Sequence, residues 1–178
     1  MATVRSNEYR WYAIYTRSRA EKKVNTELSL TGIESYLPLR KTIRQWSDRK
    51  KMVEAPLFNS YVFVKVSEKE YLNVLNTDGV TRFITFEGLA VAIPEVQINA
   101  IKAYLEEPEP IETNDDPLKM EPGQNIIVTR GPMKGLMGVL ITIQGKNKVK
   151  VEIEAIGHSL IITIPPKNIE IVGNNVSY

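Results

Sequence analysis

The densest chemistry in this sequence is cationic. Arg40, Lys41, Arg44, Arg49, Lys50 and Lys51 fall within twelve residues, opposed only by Asp48, with Trp46 among them. Guanidinium and ammonium groups neutralise phosphates, and an indole can stack on an unpaired base. A solvated hairpin whose Trp packs back onto a sheet has the same composition, so the residues alone leave both readings open. Catalytic chemistry is poorly supplied. Cysteine is absent and His158 is the only histidine. That removes disulfides, thiolate metal sites and cysteine nucleophiles, and it leaves no material for a histidine triad or a multi-histidine metal centre. Gly131-Pro132-Met133-Lys134-Gly135 lacks the Gly-Lys-Ser/Thr spacing of a phosphate loop, and no spaced Asp/Glu pair stands beside a ligand-like glycine loop. No catalytic residue, cofactor or metal ion is expected.

The elements that must position the cations follow from charge and periodicity. The chain has 178 residues, 43% hydrophobic and 25% charged, as in an ordinary globular protein. No run reaches the roughly 18 apolar residues of a membrane span. The first eight residues have no apolar core, so no signal peptide is expected. A cysteine-free chain of this kind fits the cytoplasm. The net charge of +2 divides into +5 over residues 1–105, −6 over 106–121 and +3 over 122–178. The acidic stretch Glu106-Glu107-Pro108-Glu109-Pro110-Ile111-Glu112-Thr113-Asn114-Asp115-Asp116-Pro117 has three prolines and little apolar surface, which suits a linker. It is a solubilising spacer, or its acidity repels nucleic acid or docks on a basic block. The expected organisation is a domain over 1–106, a linker over 107–121 and a second domain over 122–178.

Trp11 to Thr16 reads as a strand. Ser18 with Glu21 has capping-box spacing, and Ala20, Val24 and Leu28 recur on one helical face before Gly32. Residues 33–43 predict a second strand broken by Pro38, and 57–66 a third whose residues are apolar on both faces. A short helix over 68–76, a strand over 80–86 and a helix after Pro94 carrying Ile98, Ile101 and Leu105 complete an α+β unit, an antiparallel sheet covered by helices. The second block predicts five short strands at 125–130, 136–143, 148–155, 160–164 and 168–172. They are separated by glycine and proline turns, as in a small β-barrel.

These motifs resemble a known family. Trp11-Tyr12-Ala13-Ile14-Tyr15-Thr16 followed by Glu21-Lys22-Lys23-Val24 resembles the start of the NusG N-terminal (NGN) domain. Pro56-Leu57-Phe58-Asn59-Ser60-Tyr61-Val62-Phe63-Val64 resembles its central strand motif, and Asp78-Gly79-Val80-Thr81-Arg82-Phe83 its glycine turn and strand. Gly123 to Val128 and Gly131 to Val139 resemble a KOW domain, a five-stranded SH3-like β-barrel. The match spans about residues 10–172 in order.

The resemblance implies a non-catalytic, monomeric transcription elongation or antitermination factor. Its first domain would dock on the clamp helices of the largest RNA polymerase subunit, bridge the DNA cleft and suppress pausing. Its KOW domain would reach a ribosomal protein or Rho. On this chain the polymerase contact maps to Phe58, Tyr61, Phe63, Phe83 and Phe86. Each of these is equally suited to a sheet core, since strand residues alternate faces. Arg17 and Arg19 fall where relatives face upstream or non-template DNA, alongside the cations Arg40, Lys41, Arg44, Arg49, Lys50 and Lys51. A solvated helix start would look the same at Arg17 and Arg19. Ile156, before Gly157, falls where relatives contact the KOW partner, or it caps the barrel end. The usual Pro-Gly of the strand motif is Asn59-Ser60 here. With the basic segment, this resembles specialised operon-specific paralogues of the UpxY and RfaH types. The alternative is a ribosome- or RNA-associated KOW protein.

Overall fold

In the computed structural model the chain divides into two compact units, Met1–Pro94 and Glu95–Tyr178. The structure describes residues 7–45, 50–106, 121–131, 133–143, 146–162 and 164–172. Arg49 and Trp46 lie outside the described residues, as does most of the acidic linker.

The first unit is built on β1 (Arg10–Thr16), whose aromatic and β-branched residues favour an extended, buried strand. It is followed by α1 (Glu21–Leu30), β2 (Glu34–Tyr36), β3 (Leu39–Gln45), β4 (Lys50–Pro56) and β5 (Tyr61–Val66). A 3-10 turn leads into α2 (Tyr71–Leu75), then β6 (Val80–Phe83), β7 (Thr85–Phe86), β8 (Leu89–Ala90) and β9 (Ala92–Ile93). The main sheet has the order β2-β5-β1-β6, and β9 pairs with β1 beyond β6. One face of β1 and β5, carrying Tyr12, Ile14, Val62, Val64 and Val66, packs on Val24 and Leu28 of α1 and on Tyr71 and Val74 of α2. Phe63 is fully buried on the other face. The double-sided apolar reading of this strand therefore holds: β5 is central, between β2 and β1.

The structure corrects several local expectations. The break at Pro38 splits the second strand between two sheets: β2 pairs with β5, and β3 pairs only with β4. Proline lacks the N–H needed to continue a ladder. The strand expected over 57–66 begins only at Tyr61, because 57–60 form a turn. The capping box at Ser18 and Glu21 does not form. Ala20 is the N-cap with no side-chain hydrogen bond, and the buried Glu21 carboxylate instead accepts the Ser60 N–H at 2.7 Å. The C-terminus of α1 does close at Gly32, with Gly32 N–H to Ser29 O and Ile33 N–H to Leu28 O. A capping box occurs at Ser67 and Glu70, before α2.

The second unit begins with α3 (Glu95–Glu106), which buries Ile98 and Ile101 as its spacing predicts. All five strands follow: β10 (Asn125–Val128), β11 (Met137–Ile143), β12 (Lys146–Ile153), β13 (His158–Ile162) and β14 (Ile169–Ile171). They form one antiparallel sheet in the order β13-β12-β11-β10-β14. Ile126, Leu140, Val149, Val151 and Ile153 are buried. Gly138 is required by close approach, since a Cβ there would lie 2.7 Å from the Lys150 carbonyl oxygen. The fold is α+β, with a helix-covered antiparallel sheet and a five-stranded antiparallel sheet.

Candidate functional site

The turn before β5 sets the site. Ser60 takes a left-handed φ of 64°, a conformation that ordinarily favours glycine. Two bonds fix it there: its N–H donates to Glu21, and its carbonyl accepts the Thr16 N–H at 2.8 Å. A serine thus serves where the family motif has glycine. The turn is tied to the start of α1 and the end of β1, and Tyr61 follows directly.

The five aromatic candidates separate into two groups. Phe58, Phe63 and Phe83 are core residues, 3%, 0% and 2% exposed. Phe58 sits edge-on to Phe63, Phe63 stacks on Tyr36, and Phe83 stacks on Tyr71 at 4.8 Å. Buried rings cannot anchor a partner, so these three hold the sheet rather than present a surface. Tyr61 is half-buried, and Phe86 is 71% exposed opposite Leu89 at the tip of the β7–β8 hairpin.

Tyr61 is one of a row. The register places Tyr15 of β1 opposite Tyr61 on one side and Arg82 of β6 on the other. The Tyr15 and Tyr61 rings meet edge to face at 5.4 Å, and the Arg82 guanidinium carbon lies 5.7 Å from the Tyr15 ring centroid. Tyr15 is half-buried and Arg82 exposed. The result is a shallow aromatic shelf with a cation at its edge. Sequence reasoning missed Tyr15 and Arg82. Their signals were alternation on β1, which puts Tyr15 in phase with Trp11 and Ala13, and an arginine inside an otherwise neutral strand.

The cations also divide. Arg17 donates to Asp78, and Lys23 donates to the same carboxylate at 2.7 Å. Lys23 first and then Arg17 hold Asp78 below the usual carboxylate range. Arg17 is therefore engaged within its own chain, which weakens it as a phosphate contact. Arg19 is exposed with a left-handed φ of 64° at the corner leading into α1. At this corner the Gly79 carbonyl accepts the Arg17 N–H, and a Cβ on Gly79 would lie 2.8 Å from Val24 Cγ2.

Arg40, Lys41, Lys50 and Lys51 are exposed on the β3–β4 ribbon, and the Arg44 backbone pairs with Lys51. The ribbon forms its own two-stranded sheet. Directly paired residues share a face. Arg40 and Lys51 therefore lie on one face, and Lys41, Ile43, Lys50 and Met52 on the other. Ile43 and Met52 pair directly and are 62% and 61% exposed, an apolar patch that sequence reasoning also missed.

In the second unit Ile156 is buried, 7% exposed, in a 3-10 turn. Of the two readings at this position, capping the barrel end is the one its burial favours. His158 Nδ1 donates to the Ile156 carbonyl oxygen at 2.7 Å, which closes the turn. Among the described residues the large exposed apolar side chains here are Ile161 and Ile171, on the two end strands of the order. Among the described residues no group of His, Asp and Glu could hold a metal ion, and no helix is long and apolar enough to cross a membrane.

This geometry offers surfaces for binding, and comparison with known proteins places the chain in a family. The family model described as "Transcription termination factor nusG" matches residues 9–102. The transcription termination/antitermination protein NusG of Halalkalibacterium halodurans is 24% identical over 176 residues, covering 92% of this chain and 98% of that protein. The solved structure "Domain interaction in Thermotoga maritima NusG" is similar in fold, with a TM-score of 0.55 at 22% identity. It covers 93% of this chain and 98% of the other. With more than half of its length matched by the family model, the chain belongs to the NusG family of non-catalytic transcription termination and antitermination factors.

Proposed function

We propose that this chain docks on the clamp helices of the largest RNA polymerase subunit through Tyr61 and Phe86, and there suppresses pausing or termination. The observation that carries this reading is Tyr61. It is held by a turn tied at both ends, yet it opens to solvent beside Tyr15 at the end of the sheet. A fixed, partly exposed aromatic is the kind of anchor that a helix packs on. Phe86 adds a second exposed ring. Residues 1–106, which add α3 to the first compact unit, would form the docking domain, residues 107–121 the tether, and residues 122–178 the module that recruits a ribosomal protein or Rho.

The mechanism is differential binding. A ligand of equal affinity for two conformers shifts neither, so the factor must prefer the elongating polymerase over the paused one. Bridging the cleft would supply that preference by disfavouring clamp opening. The exposed cations of the β3–β4 ribbon, with Arg19, would add a salt-sensitive grip on upstream or non-template DNA. Ser60 in place of glycine and the long basic ribbon support a specialised, operon-specific member of the family, acting as a cytoplasmic monomer.

The test is binding of the full chain to core RNA polymerase from the same organism, beside Tyr61→Ala. Truncating a central aromatic anchor costs about 2 kcal/mol or more of binding, on the order of a thirtyfold loss of affinity. A folded wild-type protein that fails to bind would instead favour the ribosome- or RNA-associated reading.

A further inference from the structure

We propose that Arg82 determines specificity on this surface, and that the polymerase helix covering Tyr61 brings a carboxylate to meet it. The inference rests on the docking reading above and goes beyond it by naming the chemistry of the partner.

Three observations carry it. First, Tyr61, Tyr15 and Arg82 are consecutive across β5, β1 and β6, so they form one contiguous surface. Second, Arg82 is held in place. Its guanidinium lies over the Tyr15 ring, and that ring is braced edge-on by Tyr61. Third, no described residue neutralises its charge. Arg17 and Lys23 share Asp78, whereas among the described residues no carboxylate lies within ion-pair distance of Arg82.

A partner that covers Tyr61 therefore also removes water from Arg82. Burying a guanidinium without a counter-charge is strongly unfavourable. The surface thus rejects a helix that is apolar throughout and accepts one with an acid beside its apolar residue. The planar guanidinium takes a carboxylate through two parallel hydrogen bonds, which fixes orientation as well as charge. A phosphate would suit the same fork. The shelf argues against nucleic acid, because its rings cross at 82° and offer no pair of parallel faces for stacked bases.

The experiment uses the full chain and core polymerase without nucleic acid, at low and high salt, with Arg82→Ala, Arg82→Glu and Tyr61→Ala. Circular dichroism first checks that each variant is folded. At low salt Arg82→Ala is expected to lose roughly tenfold in affinity and Arg82→Glu more, in the range of interface hot spots. Arg82→Ala should also flatten the salt dependence of binding, because the charge pair it removes is the screened part. Tyr61→Ala should lose affinity at every salt concentration. If both Arg82 variants bind as wild type while Tyr61→Ala fails, the docking reading stands and the carboxylate is refuted. An Arg82 effect that arises only when a DNA–RNA scaffold is added would overturn the proposal in favour of a phosphate. If Tyr61→Ala also binds as wild type, the docking reading falls and this inference falls with it.

Discussion

The two ends of β1 each present a tyrosine, and the two are used differently. At the N-terminal end the Tyr9 hydroxyl donates to Glu70 at 2.8 Å, and the Glu70 carboxylate also accepts the Ser67 hydroxyl at 2.6 Å and the Ser67 N–H at 3.0 Å. The Glu70 carboxylate there is met by donors from the same chain, and Arg10 pairs with Glu8. At the C-terminal end Tyr15 carries Arg82 on its face and Tyr61 at its edge, and among the described residues no carboxylate lies within ion-pair distance of Arg82. A closed polar network needs nothing from outside. An aromatic shelf with a cation at its edge leaves room for a counter-charge from another molecule. On the docking reading proposed above, the difference separates a structural end from an interface end, although exposure alone would mark both tyrosines as surface.

Between the two ends the same face is core. Ala13 and Phe63 are paired and fully buried two residues from Tyr15 and Tyr61. Phe63→Ala is therefore expected to have the largest effect, a loss of about 3–5 kcal/mol of folding stability measured by urea denaturation. Any loss of polymerase binding in this variant should follow its unfolding. Tyr61→Ala should remove an edge-to-face pair worth about 0.5–1.5 kcal/mol and half-buried surface, a smaller loss than at Phe63, while binding fails in the folded state. If Tyr61→Ala unfolds the domain as Phe63→Ala does, the distinction between core and interface on this face is lost.

Periodicity cannot draw that line, which is why the aromatic candidates were only partly legible. Alternation correctly assigns Tyr61 and Phe63 to one face and Val62 and Val64 to the other. Which part of a face is covered depends on elements remote in sequence. Burial at Phe83 depends on Tyr71 from α2 and on Tyr12, and at Phe58 on Phe63. The five strands of the second unit were readable because glycine and proline turns punctuate them. The short strands β7, β8 and β9 were not separated, since two-residue strands carry no period. Glu21 was misassigned because its spacing from Ser18 is a capping signal, whereas the unusual φ of Ser60 offers its carboxylate a buried N–H. The ribbon cations were legible by count, but their division between two faces needed the register Ile43↔Met52 and Lys41↔Glu54.

The ribbon sharpens the contrast in a different currency, ionic strength. Lys50 and Lys51 point to opposite faces and are exposed, so Lys50→Gln with Lys51→Gln should leave stability within about 0.5 kcal/mol. If both grip DNA, the slope of log affinity against log salt should fall by about 1–2 in a binding titration with duplex DNA. An unchanged slope would confine nucleic-acid contact to other cations, Arg19 first among them.

The smallest expected effect probes the closed end of β1. The Ser67 hydroxyl, and after it the Tyr9 hydroxyl, hold Glu70 well below the ordinary carboxylate range, down to about 2. The folded state therefore binds fewer protons than the unfolded state between the ordinary value near 4.5 and about 2. The resulting stabilisation is complete above pH 4.5 and drains away as pH falls toward 2. Glu70→Gln keeps an acceptor oxygen for the Ser67 N–H, while its amide NH2 replaces the oxygen that accepts the Tyr9 hydroxyl, so it removes the titrating charge and preserves the cap. The carboxylate is open to solvent, so the wild-type advantage should stay under about 1 kcal/mol. Thermal melts between pH 7 and pH 2.5 should show a constant difference down to about pH 5 that closes below it. A difference that persists unchanged to pH 2.5 would mean that Glu70 acts through shape alone, and the two ends of β1 would then not be distinguished by how each handles its charge.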